Sequence, residues 1–215
     1  MPMPEEDRAS SIILRDARYH RASVKADPAT AHLAERIESA ERTLRDAADA
    51  TDAAEDARVE AYARLVRADF QSDQQIREID LLLLAAVGRD RSSAGYRACL
   101  PRGMSELVAM RGEEQERAVR SLVTELGARF PALATAHGEA LTTLAAGATT
   151  AERAWLEAER LTSAARGAER LARVELIRAL QRNEGALREI FPGDVRRAKS
   201  YFRKASKRRE EKPEE

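Results

Sequence analysis

In Leu33-Ala-Glu-Arg-Ile37-Glu-Ser-Ala40-Glu-Arg-Thr-Leu44-Arg-Asp-Ala47 an apolar residue returns every third or fourth position, with charged residues filling most of the places between. That period places Leu33, Ile37, Ala40, Leu44 and Ala47 on one face of an α-helix and the charges on the other. The same beat extends in both directions. Upstream, residues 8–24 carry Ile12, Ile13 and Ala17, with His20 or Arg21 next, and Asp27-Pro28 reads as a cap followed by proline at a first helical position. Downstream come Val59, Tyr62, Leu65/Val66 and Phe70, then Ile76, Ile79, Leu83 and Val87. Val119, Leu122/Val123, Leu126 and Phe130 continue it, and Leu156, Leu161, Leu171, Val174, Ile177 and Leu187 repeat it once more. No segment shows the alternation of a half-buried strand, so the expected fold class is all-α.

Composition agrees. Ala fills 42 of the 215 positions, and Arg, Leu and Glu are also abundant, all four being strong helix formers. Only 4% of residues are aromatic, so the core must be built from Ala, Leu, Val and Ile. The expected architecture is an elongated antiparallel bundle of about four long helices with a short basic helix at the C-terminus.

Two arrangements of those helices fit the sequence. Asp52-Ala-Ala-Glu55 and Thr149-Thr-Ala-Glu152 both read as capping boxes and lie 97 residues apart. At that offset Leu44 matches Leu141, Leu33 matches Phe130, and Glu55, Glu60 and Ala61 match Glu152, Glu157 and Ala158. Each half ends in an apolar-proline stop, Leu100-Pro101 and Phe191-Pro192. This describes a duplicated helical hairpin, about 8–104 and 105–193, with new helices opening near residues 53 and 150. Alternatively, residues 28–88 form one uninterrupted helix, since no Gly or Pro lies inside them, and it would be about 90 Å long. A further turn at Ser72-Asp-Gln-Gln75 is also compatible with the caps.

Net charge is zero but unevenly spread. Residues 194–215 hold nine basic and five acidic side chains, and residues 1–193 carry the balancing acidic surplus. A boundary at 193/194 is therefore expected, with a charged tail beyond it. Arg196, Arg197, Lys199, Arg203, Lys204, Lys207, Arg208 and Arg209 surround a narrow apolar face of Val195, Ala198, Phe202 and Ala205. That pattern suits nucleic acid, an anionic membrane surface or an acidic protein groove. It equally suits a solvated helix end whose cations favour the C-terminal dipole, leaving the tail detachable from the fold.

The positions three before His20, His32 and His137 are all alanine, so the Glu-x-x-His pair of di-metal bundles does not occur. The chain contains no phosphate-cradling glycine loop and no nucleophile elbow. Cys99, the single cysteine, has no histidine beside it in sequence and reads as a small apolar filler. Neither a catalytic residue, a metal site nor a cofactor is expected. Tyr96, Leu100 and Phe191 are expected to plug one end of the bundle, and Trp155 the other.

Localisation is expected to be a reducing, bacterial cytoplasm. One cysteine permits no internal disulfide, Arg outnumbers Lys 32 to 5, and acidic Met1–Asp7 has no basic or apolar signal region. The resulting functional expectation is a non-enzymatic structural or protein-interaction bundle that binds an unknown protein partner or itself. The alternative is an anion-binding module acting through the tail.

Overall fold

The computed structural model describes residues 8–203. Helix accounts for 86% of them, and no strand occurs among them. The order is α1 (Ser10–Lys25), a 3-10 turn at Ala31–Leu33, α2 (Ala34–Ala86), α3 (Ala94–Cys99), α4 (Met104–Ala109), α5 (Gly112–Arg129), α6 (Pro131–Ile190) and α7 (Val195–Ser200). No described helix is long and apolar enough to cross a membrane.

Two long helices stand where four were expected. α2 runs 53 residues without a break and α6 runs 60. The residues read as capping boxes lie inside them, and the side chains show why no helix opens there. At the second box Thr149 Oγ1 donates to the Ala145 carbonyl at 3.2 Å and Thr150 Oγ1 to Ala146 at 2.8 Å, and Thr51, beside the first, donates likewise to Ala47 at 3.0 Å. A hydroxyl that bonds back to the preceding turn serves the helix interior instead of a free amide at its start. Gly147 also sits within α6, where it costs about 1 kcal/mol relative to alanine, too little to interrupt so long a helix. The expected hairpin break points at residues 53 and 150 are therefore corrected.

The 97-residue offset survives in another form. It carries the first residue of α2, Ala34, onto the first of α6, Pro131. Buried Leu44, Ile79 and Leu83 then fall on buried Leu141, Leu176 and Leu180. Each half of the chain is a short helix, a very long helix and a six-residue helix: α1-α2-α3, then α5-α6-α7. α4 belongs to the connector between them.

The chain folds as two compact units. One comprises residues to Ala54 and from Thr162, the other Glu55–Leu161. The first unit therefore contains α1, the start of α2, the end of α6, and α7. The second contains α5, the start of α6, the end of α2, and α3, with α4 added. The same four kinds of piece build each unit, two taken from each half of the chain.

In the first unit, Ile13 and Ala17 of α1 meet Ile37 and Leu44 of α2 and Leu176 and Leu180 of α6. A second cluster joins Val24, Leu33 and Leu187 to Ala198 and Tyr201. α7 is thus packed into the unit, so the detachable tail expected from residue 194 onward does not hold for 194–203. In the second unit, Ile76, Ile79 and Leu83 of α2 pack with Tyr96 and Cys99 of α3, Leu107 of α4, Val119, Leu122 and Leu126 of α5, and Leu141 of α6. Tyr96 and Leu100 belong to the core of the second unit, and Phe191 borders a core of the first. Trp155 is half-buried in mid-helix, its ring 6.0 Å from that of Tyr62.

Candidate functional site

α7 carries the basic residues singled out in the sequence. Asp194 caps it by accepting from the Arg197 amide at 2.8 Å, and its small Ala198 turns inward. Arg197 donates through Nη2 to Asp27 Oδ2 at 3.0 Å, and its guanidinium carbon stands 3.8 Å from the centre of the Phe191 ring. Arg203 reaches Asp16 at 3.4 Å. Two of the eight expected anion-binding side chains thus face acidic groups of their own unit. Arg196 and Lys199 are exposed on α7. Lys204, Lys207, Arg208 and Arg209 lie outside the described residues.

Asp27 also accepts from the Tyr201 hydroxyl at 2.6 Å. That bond, the Ala29 amide and Arg197 together hold its carboxyl below the usual aspartate range, while burial and the same carboxylate push the Tyr201 phenol up. Immediately inside lies His20, with no solvent exposure. Its Nδ1 is 3.1 Å from the Tyr201 carbonyl oxygen and the Phe202 ring stacks on it at 4.3 Å. Burial lowers its pKa to about 4, against the raising effect of the Tyr201 carbonyl. These polar contacts bind the last described segment to α1 and to the α1–α2 turn.

Another buried charge lies in the same unit. Glu41 is 2% exposed and is met by Arg45 at 2.8 Å, Arg21 at 3.1 Å and Arg18 at 3.3 Å. Three guanidinium groups around one carboxylate compensate a charge that burial alone would penalise by several kcal/mol.

In the second unit Asp80 plays a comparable part. It accepts from the Tyr96 hydroxyl at 2.5 Å and from Arg91 at 3.3 Å. Burial, then the Asp80 carboxylate, pushes the Tyr96 phenol up to about 12. Gln115, 1% exposed, donates to Asp73 at 3.2 Å and to the Leu107 carbonyl at 3.4 Å, and accepts from Ser72 at 3.5 Å. Each of these buried polar groups thus has structural partners. Among the described residues no three of His, Cys, Asp and Glu come together as a metal site.

The most distinctive surface is apolar. Val59, Tyr62, Val66 and Phe70 follow one another on α2 at spacings of three and four, and are 59%, 53%, 49% and 47% exposed. The sequence reading grouped them with the core stripe. The structure instead turns Ala61 and Ser72 inward and leaves Leu65 half-buried. Nothing in the sequence separates Ala61, which is buried, from Ala57 and Ala63, which are exposed. A shallow groove runs along this face, bordered by Tyr62, Val66, Arg67 and Phe70. Arg67 lies 5.8 Å from the centre of the Phe70 ring.

No protein-family model, no curated protein and no solved structure matches the chain.

Proposed function

We propose that the chain is a non-enzymatic interaction bundle and that another protein helix docks on the α2 stripe Val59-Tyr62-Val66-Phe70. The observation that supports this most is the stripe itself: four successive large apolar side chains, each about half exposed, at helical spacing. An amphipathic helix laid in a groove uses anchors of this spacing. Burying the remaining surface of the four would contribute roughly 1 kcal/mol each before association costs. The partner helix comes from another protein or from a second copy.

The test compares wild type with Tyr62→Glu/Val66→Asp, whose substitutions lie on the exposed face and should leave the circular dichroism unchanged. Sedimentation would follow self-association, and purification from the native cells would follow a bound protein. Loss of either association in the double variant supports the reading. A monomeric wild type with the same associated proteins as the variant refutes it.

The anion-binding alternative now rests on Arg196, Lys199 and the four basic residues from Lys204 to Arg209. Titration with duplex DNA and with anionic vesicles at two salt concentrations tests it, and binding must weaken steeply with salt. No binding to either at low salt removes the alternative.

A further inference from the structure

The second unit contains a cavity of about 180 Å³ between the end of α3, the turn that follows it, α4 and α5. Cys99, Leu100, Leu107 and Met110 form its apolar wall, with Ala118 and Ser121 on the α5 side. It opens to solvent on one side, where Pro101, Arg102 and Ser121 are exposed. An apolar cavity of about 150 Å³ engineered in another protein stays dry and binds benzene, so this space is of the size that takes a single aromatic ring.

The segment that encloses it is also the part of the chain that the duplication leaves over. Residues 100–111 join α3 to α5 and so connect the two halves. Gly103 makes the turn at φ +84°, a conformation that a side chain would strain, and so leads the chain from α3 into α4. Leu107 then anchors α4 in the core at 5% exposure.

We infer that this cavity is a binding site for a small neutral aromatic molecule, one ring bearing at most a hydroxyl. Volume sets the size. The thiol of Cys99 and the thioether of Met110 set the class, because polarisable sulfur makes favourable contacts with aromatic rings. Charge is set at the rim. Arg102 is among the lining residues, but Glu106 accepts from its Nη1 at 2.8 Å. An incoming carboxylate would have to displace Glu106, whereas a neutral ring would not. The Ser121 hydroxyl supplies one hydrogen-bond partner for a phenol.

The experiment uses the full chain with benzene, phenol and benzoate as probes. Two readouts are followed: the melting temperature, and the rate at which iodoacetamide alkylates Cys99, the sole cysteine. Benzene and phenol should each raise the melting temperature by a few degrees at about ten times their dissociation constant, and slow alkylation several-fold. Benzoate should do neither at the same concentration. Ala118→Leu, which places three more carbons at the α5 wall, should abolish both effects. If that variant does not fold, the wild-type comparison of the three probes still decides. The inference is overturned if neither benzene nor phenol changes either readout at millimolar concentration, or if benzoate acts as strongly as phenol.

Discussion

His20 Nε2 and Asn183 Nδ2 stand 3.1 Å apart, joining α1 to α6 across 163 positions of sequence, and neither residue is exposed to solvent. The opposite ring nitrogen, Nδ1, faces the Tyr201 carbonyl, which can only accept. Nδ1 therefore carries the proton, and Nε2 accepts from the Asn183 amide. The same amide nitrogen donates to the Leu33 carbonyl at 2.9 Å. Every member of the network is satisfied by a neutral imidazole, and a second ring proton would meet the amide donor.

Stability should consequently fall in mild acid. The folded pKa of His20, about 4, lies below the ordinary histidine value of 6.5. Between these values the unfolded chain takes up a proton that the folded chain does not, so the contribution is complete above pH 6.5 and is lost as pH falls toward 4. The shift is equivalent to about 3 kcal/mol. Urea unfolding at pH 7.5, 5.5 and 4.5 checks this, with His20→Gln as the control. The variant should start less stable and lose less across that range. An equal loss in both proteins would assign the acid sensitivity to other groups.

Substituting Asn183→Asp should reverse the direction. A carboxylate opposite Nε2 favours the imidazolium, raising the folded pKa of His20 above 6.5. Stability from this pair would then be present below pH 6.5 and disappear as pH rises through the new pKa. At pH 7.5 the variant should be destabilised by about 1–3 kcal/mol, because the Leu33 carbonyl loses its donor. A histidine NMR titration reads the sign directly.

A third expectation concerns the C-terminal segment. Its basic character was legible in the sequence, and its packing was not. Charge counting makes Arg196 to Arg209 look solvated, whereas Ala198 and Tyr201 are 2% and 6% exposed. Truncation after Gly193 should uncover His20 and remove both buried side chains, costing about 3 kcal/mol or more from Tyr201 and its hydrogen bond alone. Truncation after Arg203, which keeps Ala198 and Tyr201, should lower the melting temperature less than truncation after Gly193 does. Equal melting temperatures for the two truncations would show that α7 adds nothing to the fold.

That contrast marks what can be read from residues alone. The helical class follows from local propensity and period, which are properties of neighbouring residues. α1 was located to within two residues for this reason, and Pro131 opens α6 as a first-turn proline can. The capping boxes misled because Asp52 and Thr149 are residue types found both at helix starts and within helices, and only the continuing backbone decides which. The exposed α2 stripe misled for a related reason. Period identifies a face of a helix, but the partner's size and position determine whether that face is covered. His20, Asn183 and Tyr201 meet through tertiary structure, so no spacing in the sequence announces them.

The last expectation follows from how the units are composed. Each takes two of its pieces from residues before the α3–α5 connector and two from after it. Neither half of the chain contains a complete unit. Expressed alone, residues 1–103 would carry Ile37 and Leu44 without Leu176 and Leu180, and Ile79 and Leu83 without Leu122 and Leu126. Such apolar faces cannot remain uncovered in a monomer, so each half should be unfolded or self-associated, with no cooperative monomeric transition. Mixed in equal amounts from urea, residues 1–103 and 104–215 should combine one to one and recover both cores, minus only the covalent link in the connector. The equivalence of α1-α2-α3 with α5-α6-α7 adds a sharper consequence. Either half should pair with a second copy of itself less stably than with the other half, since its seams would then set Ile37 and Leu44 against Ile79 and Leu83 instead of their native partners. Sedimentation equilibrium and thermal melts of each fragment and of the mixture separate these outcomes. A half that melts cooperatively as a monomer would overturn the shared composition of the units.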